Sequence, residues 1–477
     1  MISTIVRKEI HNHIVSFRFV VTALLLIVVV PVTVLVLTND YVRQWDDYSR
    51  RQAEIERYLA RYAHFNRLGN IVAPTQPPVP LMTLVRGLSA DVGMDSFDND
   101  PLPIVFPLLD LTFIIVILIS LAGLVFSYDS VSGEREDGTL KLMLANGVPR
   151  AKVLMGKIVG GTLTLLIPFL LASLGGLFII LLNPRVDWKG ADFGALGLII
   201  LGTVVYAGLF TTLGTLISAR HRSSASSIMT SLFVWVVLVL VIPNLSPYAA
   251  SFFRPAPSRI KIDREVFRLT QDERDVLGRQ LARENTAAVL KERPILAGIE
   301  RMPENEIKDR ILKDPGFAAA YEAYRKAGQA GWDEANARQG AKADILRKDL
   351  DLKEKAQTQL AVGLSLASPL ADLTYLAADL SNTGMRNMRH FGVLSRSWWQ
   401  MYGEFADRRM NEMKKADPTA DVWNTVADVH DMPRFRYTEE PLAARFAGIL
   451  APLAVLIVMA SGLFIAAFVA FVRCDVR

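Results

Sequence analysis

The stretch FVVTALLLIVVVPVTVLVL, Phe19 to Leu37, decides how the chain must be read. It carries no charged side chain along its whole length, and a helix rising 1.5 Å per residue needs about 20 residues to cross roughly 30 Å of hydrocarbon. A helix in a water-soluble core would keep a polar face, and this run keeps none. A cleaved leader would end in a small-x-small site; this run has no such site and follows 18 mixed residues, so it reads as a retained membrane helix.

Five further runs of similar length follow, and the spans expected from them are 19–38, 104–127, 155–182, 194–218, 225–245 and 446–472. The composition agrees: of 477 residues, 51% are hydrophobic and 21% charged, against about 45–50% and 25% in soluble domains. The fold class expected is an all-α membrane protein. Six transmembrane helices carry a helical stalk after the first and a large, mainly helical extracytoplasmic domain between the fifth and sixth. The net charge of +5 comes from Lys and Arg scattered among acids rather than gathered in a stripe, which argues against a nucleic-acid partner. The single cysteine, Cys474, lies close to the C-terminus, so no disulfide can hold either outer insertion.

Basic residues near span ends set the orientation. Arg7, Lys8 and Arg18, then Arg135, Lys141, Arg150, Lys152 and Lys157, then Arg220 and Arg222, and finally Arg473 and Arg477 all fall on one side, so both termini are expected in the cytoplasm. Residues 1–18 place Ile2, Ile5, Ile10, Ile14 and Phe17 near helical spacing, the pattern of an amphipathic elbow helix on the inner leaflet. Between 39 and 103 the first span continues as a polar helix to about Leu68, an extension of roughly 40 Å. The run Pro74-Thr75-Gln76-Pro77-Pro78-Val79-Pro80 then forms an extended linker. Residues 246–441 are domain-sized, with helices expected around 263–293, 303–313 and 317–360 and breaks at Pro294, Pro303 and Pro315. The moderately apolar segment Leu360 to Leu380 contains Asp372 and Asp379; two acids in one span would each cost about 2.5–3.5 kcal/mol at mid-membrane. It is expected as a domain-core or interfacial helix rather than a seventh span.

The segment 128–154, between the second and third spans, is too structured for a plain connection. Gly133 and Gly138 bracket Glu134, Arg135, Glu136 and Asp137, after which Leu140, Met143 and Leu144 recur at the spacing of a short amphipathic helix. Such a turn, fixed at both ends to spans and presenting charge outward, suits a device that passes motion from a soluble partner into the membrane. An ordinary solvated turn remains the alternative reading of the residues alone.

The run Ser132-Gly133-Glu134-Arg135-Glu136-Asp137-Gly138-Thr139-Leu140 closely resembles the S-G-E-R-E-x-G-T-L signature of permeases in the type-two family of ATP-binding-cassette exporters. Val148-Pro149-Arg150 and Gly156-Lys157 follow where those permeases begin their third span. The end, Arg473-Cys474-Asp475-Val476-Arg477, is similar to an R-Y-D-V-R tail found in one branch. The resemblance implies that Ser132, Gly133, Glu134, Arg135, Glu136, Gly138, Thr139 and Leu140 couple the chain to a separate ATPase subunit. It further implies a bacterial inner-membrane location, a second permease chain, identical or different, and ATP with magnesium on the partner subunit. The long outer insertion departs from compact members of the family.

No G-x-x-x-x-G-K-[ST] phosphate cradle occurs, and Gly156-Lys157 reads as a helix start only. The histidines at 11, 13, 64, 221, 390 and 430 form no metal-ligand motif, and no G-x-S-x-G is present, so neither a metal, nor a cofactor on this chain, nor catalysis is expected. Asp110 falls inside the expected second span and is a candidate for the transport path; a carboxylate solvated at the interface or paired with Arg is the alternative. Glycines at 156, 160, 161, 175, 176, 194, 197, 202, 208 and 214 permit close helix contact. Besides a membrane sensor with no ATPase, two readings of function stay open. One is export or extrusion of a substrate, including membrane lipid. The other is mechanical action on a periplasmic partner through the outer domain, with no substrate passage.

Overall fold

The computed structural model describes residues 2–87, 109–145, 148–417 and 421–473, and among them it contains helices and no strand. Among the described residues six helices are long and apolar enough to cross a membrane, as the hydropathy runs require. Helix α1 (Ile2–Ile14) precedes α2 (Phe17–Arg61), which carries the first span and the stalk in a single rod of 45 residues, about 68 Å long. Ser16 caps it, accepting the Phe19 amide. Beyond a break at Tyr62, α3 (Phe65–Ile71) ends the stalk, short of which the proline linker turns back; Gln52 donates to Thr75 across the two limbs.

The linker returns to the bundle through Leu81, Met82, Leu84 and Val85, all buried, and the Leu111 amide bonds to the Leu84 carbonyl. The second span, α4, covers residues 111–127 and contains a π-helical turn at Ile114–Ile119. The expected start of this span at 104 lies outside the described residues. Short helices α5 (Ser132–Glu136) and α6 (Thr139–Ala145) precede the third span, α7 (Arg150–Leu181), and the fourth, α8 (Gly190–Arg220). The fifth is α9 (Ser224–Phe253).

The span core is apolar and interlocked. Val30, Ile119, Phe126, Leu165, Phe169, Phe210 and Leu456 are buried together. Glycines bring helices close where the sequence allows it: a side chain at Gly176 would overlap Val34 of α2, and one at Gly214 would overlap Ser127 of α4. One polar chain ties three spans. Trp235 Nε1 donates to Ser120 Oγ at 2.8 Å, Ser120 donates to the Val116 carbonyl at 2.6 Å, and Tyr206 donates to that same carbonyl at 2.8 Å.

The stretch expected as one outer domain, 246–441, is divided. Residues Asn244–Leu364 form a compact unit of their own, while the remainder packs with the first 243 residues. In the separate unit, α10 (residues 259–292) lies antiparallel to α12 (Pro315–Ser365), with α11 (Glu304–Lys313) between them in sequence. The breaks fall where Pro294, Pro303 and Pro315 were expected to place them. Close approach explains the glycines: side chains at Gly278 and Gly331 would overlap Trp332 and the Ala282 backbone respectively. Arg259 grips Glu354 through two bonds of 2.7 Å at one end, and Leu296, Ile299, Phe317 and Ala320 make a small apolar core at the other.

The other part begins with α13 (Pro369–Leu380), which is buried among the spans, and continues with α14 (Met385–Ala416). Trp398, Tyr402, Phe405 and Ala406 of α14 meet Leu59, Ala63, Phe65 and Leu68 of the stalk, with Ala427, Val429 and Met432 closing the cluster. The sixth span, α15 (Leu442–Val472), then packs against α8 and α13. The aromatic face of α14 is why this part joins the stalk rather than the 244–364 unit.

Substituting Gly331→Val should force α10 and α12 apart and destabilise their unit by about 1–3 kcal/mol. Limited proteolysis of the full-length protein should show faster cleavage within residues 259–365, with the α2 rod unaffected.

Candidate functional site

Helix α4 cannot run directly into α7, because the chain must reverse direction at one end of the bundle. It does so over residues 128–149, the segment that carries the Ser132 to Leu140 signature. Gly138 sits at φ +73° between α5 and α6, a left-handed conformation that glycine adopts without strain, and among the described residues no neighbour lies within contact of the position a Cβ would take. The turn there depends on backbone freedom rather than on space.

Two sets of partners hold the turn. On one side is the connection between α8 and α9. Ser218 Oγ accepts the amides of Val131 and Ser132 at 3.0 and 2.9 Å and lies 3.1 Å from Ser132 Oγ. Glu136 accepts the Ser224 hydroxyl at 2.6 Å and its amide at 3.2 Å, Arg135 donates to the His221 carbonyl, and Ser227 donates to the Tyr128 carbonyl. On the other side is α1 with the root of α2. Arg18 reaches Asp129 at 2.8 Å, and its guanidinium lies over the Tyr128 ring.

Between these lies a buried charge cluster. Lys157, in the second turn of α7, has a side chain only 1% exposed; its ammonium lies 3.1 Å from Glu9 of α1 and 2.9 Å from Glu134 of the signature. Lys8 approaches the other Glu134 oxygen at 3.1 Å, so two cations meet two anions. Close packing makes the cluster reachable: side chains at Gly156 and Gly160 would overlap Ile5 and Glu9, so α1 lies directly on α7. An unpaired ammonium at this depth would cost several kcal/mol, and the two carboxylates offset that cost. Lys157 is therefore the centre of this cluster and not only part of a helix start, as the sequence suggested.

The signature residues divide by direction. Ser132 and Leu140 are buried, and Leu140 joins Val131, Val153, Leu154 and Phe471 in an apolar cluster at the base of α7 and α15. Gly133, Glu134 and Arg135 are half-buried. Glu136, Asp137, Gly138 and Thr139 are exposed, as are Lys141 and Leu142 just beyond them, the last at 68%. Arg150 donates to the Phe471 carbonyl at 3.3 Å and also to Val472, so the end of the sixth span closes on the same site.

Asp110 lies elsewhere. It is the N-cap of α4, not a residue several positions inside a helix: one oxygen accepts the Phe113 amide at 2.7 Å and the other the Arg86 amide at 3.2 Å. A carboxylate spent on two backbone donors is a helix cap. The sequence used Lys8 only to set orientation, and it did not single out Glu9, Ser218 or Ser224 as partners of the turn. A lone lysine inside an apolar run was the available signal for Lys157; its partners, far away along the chain, carry none.

A family model described as "ABC-2 family transporter protein" matches residues 3–476. The chain is 32% identical over 125 residues to a protein named "Probable ABC transporter permease protein NosY" from Stutzerimonas stutzeri, covering 26% of this chain and 45% of that protein. To the protein of the same name from Pseudomonas aeruginosa it is 29% identical over 154 residues, covering 32% of this chain and 54% of that protein. The chain thus spans about half the length of the curated relatives it matches.

Replacing Lys157→Met leaves Glu9 and Glu134 facing each other in a buried site and should cost about 3–5 kcal/mol. The double variant Lys157→Met with Glu9→Gln should recover part of that loss in thermal unfolding. Equal losses in the single and double variants would show that the pair is not coupled.

Proposed function

The chain belongs to the ABC-2 family of transporter proteins, and from that premise we propose that it is the permease of an ATP-driven export assembly in a bacterial inner membrane. Two permease chains, identical or different, stand on two ATP-binding-cassette subunits, which hold ATP and magnesium and perform the hydrolysis. Both termini and the 128–154 turn face the cytoplasm, and the stalk and the 246–441 region face outward.

The observation that carries this reading is the opposed character of the two sides of the signature turn. Its inner side is clasped by Lys157, Ser218 and, through Glu136, Ser224, and its outer side offers Asp137, Thr139, Lys141 and Leu142. Closure of the ATP-binding subunits would press on the outer side. The clasp would pass that displacement to α1, α7 and the α8–α9 connection together. The resemblance placed Glu134, Arg135 and Glu136 at the contact with the ATPase; their internal partners support a positioning role for them, with the contact itself centred on the exposed residues among 137–142.

An apolar cavity of 210 Å³ among the first four spans, lined by Val30, Phe169, Ser173, Ile199 and Thr203, supports an apolar or lipid-like substrate. The second reading, mechanical action on a periplasmic partner, is supported by α2: the helix whose root bonds to Asp129 continues unbroken into the stalk.

The paired substitutions Lys141→Glu and Leu142→Asp should weaken association with the ATP-binding subunit about tenfold or more, read by co-purification and titration, while thermal unfolding stays near wild type. Glu134→Gln should do the reverse, lowering stability more than association. Retained association in the first variant would contradict the assignment.

A further inference from the structure

The helix α13 has 12 residues, a rise of about 18 Å, too short to cross a membrane. Its start lies at mid-depth among the spans. Ser368, its N-cap residue, donates to the carbonyl of Leu238 in the π-helical turn of α9, and Leu373 and Leu376 lie over Gly202, about a third of the way along α8. Its end lies at the outset of α15, where Arg445 donates to the Leu380 carbonyl at 3.1 Å. The chain therefore enters the bundle before Pro369 and leaves it again by Leu380, a re-entrant arrangement, which is tolerated only where protein encloses it. Most of α13 is buried.

Asp372 stands in the first turn of this helix at 0% exposure, and among the described residues neither of its carboxyl oxygens has a hydrogen-bonding partner. The charged groups on the elements around it are engaged elsewhere. Arg445 bonds to the Leu380 and Glu440 carbonyls and to Glu439. On α14, Arg386 pairs with Glu440 and His390 bonds to the Thr438 carbonyl, while Arg389 acts on Asp379, the other acid of α13. Asp110 caps α4 and Asp192 caps α8, whose Arg220 is at the opposite end, and the part of α9 up to Pro243 carries no charge. Among the described residues, no charge on these elements offsets the loss of water around Asp372. An ionised carboxylate would be stranded in a low-dielectric interior, whereas the neutral acid is not.

We propose that Asp372 is a proton-binding site at the tip of a re-entrant helix, protonated while the bundle is closed around it. It ionises only when the bundle rearranges so that water or a counter-charge reaches the tip of α13, the proton passing to that water. Nothing in this depends on the ATPase partner. It gives the spans a second input, pH, at a position remote from the signature turn.

The test compares infrared spectra of the full-length protein and of Asp372→Asn in lipid vesicles as pH is raised. A protonated-carboxyl C=O band is expected in the wild type at pH near 7, well above the ordinary aspartate range. The band should be missing in Asp372→Asn and should fade only on alkaline titration. Thermal unfolding gives an independent reading. The folded state holds a proton that the unfolded chain releases above about pH 4, so stability falls as pH rises from there towards the folded-state titration. Asp372→Asn should lose less stability than the wild type over that window. Absence of the band at pH near 7, equal pH dependence of the two proteins, or loss of the band on adding Na⁺ or Ca²⁺ at constant pH would overturn the proposal, the last in favour of a cation site.

Discussion

One ammonium group constrains the working end of this protein. Lys157 sits within an apolar helix, nearly sealed from solvent, and must have anions beside it. Glu9 and Glu134 supply them from two elements that are otherwise distant in the chain. To deliver Glu9, α1 has to lie flat on α7, which Gly156 and Gly160 permit. To deliver Glu134, the chain after α4 has to turn sharply and present α5 inward. The cluster is thereby a joint of three elements, and it explains why the signature carries its acid where it does.

Around this joint the remaining contacts prevent slack. Ser218 and Ser224 tie the turn to the fourth and fifth spans, Arg18 ties it to the root of the first, and the Leu140 cluster ties it to the third and sixth. A force applied to the exposed residues Asp137, Thr139, Lys141 and Leu142 has no single helix to act on; it meets most of the bundle at once. Among the described helices α2 is the longest path away from the joint, its 45 residues carrying the stalk and, through Leu59, Ala63, Phe65 and Leu68, meeting the aromatic face of α14.

Much of this was legible in the chain. Apolar length identifies spans because the bilayer imposes length, and prolines at 294, 303 and 315 mark helix ends because proline lacks the amide that would continue them. The signature was legible as a motif, but which way each residue points was not. Glu134 and Arg135 look like surface charge from spacing alone, and only their partners, Lys157 and the His221 carbonyl, show that they face inward. Asp110 looked intramembrane because hydropathy extends past the point where the helix starts; its two backbone donors make it a cap. The α13 segment was the hardest. Its 12 residues are too few for a span and too apolar for a surface helix, and periodicity does not record enclosure by neighbours.

The central claim, that α1 and the signature turn move as one body around Lys157, is tested most directly by a distance measurement between them. Spin labels would be placed at Asn12→Cys and Ala145→Cys, both exposed positions, in a Cys474→Ser background assembled with the ATP-binding subunit. The distance distribution is expected to be narrow and unchanged between nucleotide-free and ATP-bound states, and to broaden when Lys157→Met is introduced. A distance that shifts with nucleotide in the otherwise wild-type protein, or one indifferent to Lys157→Met, would contradict it.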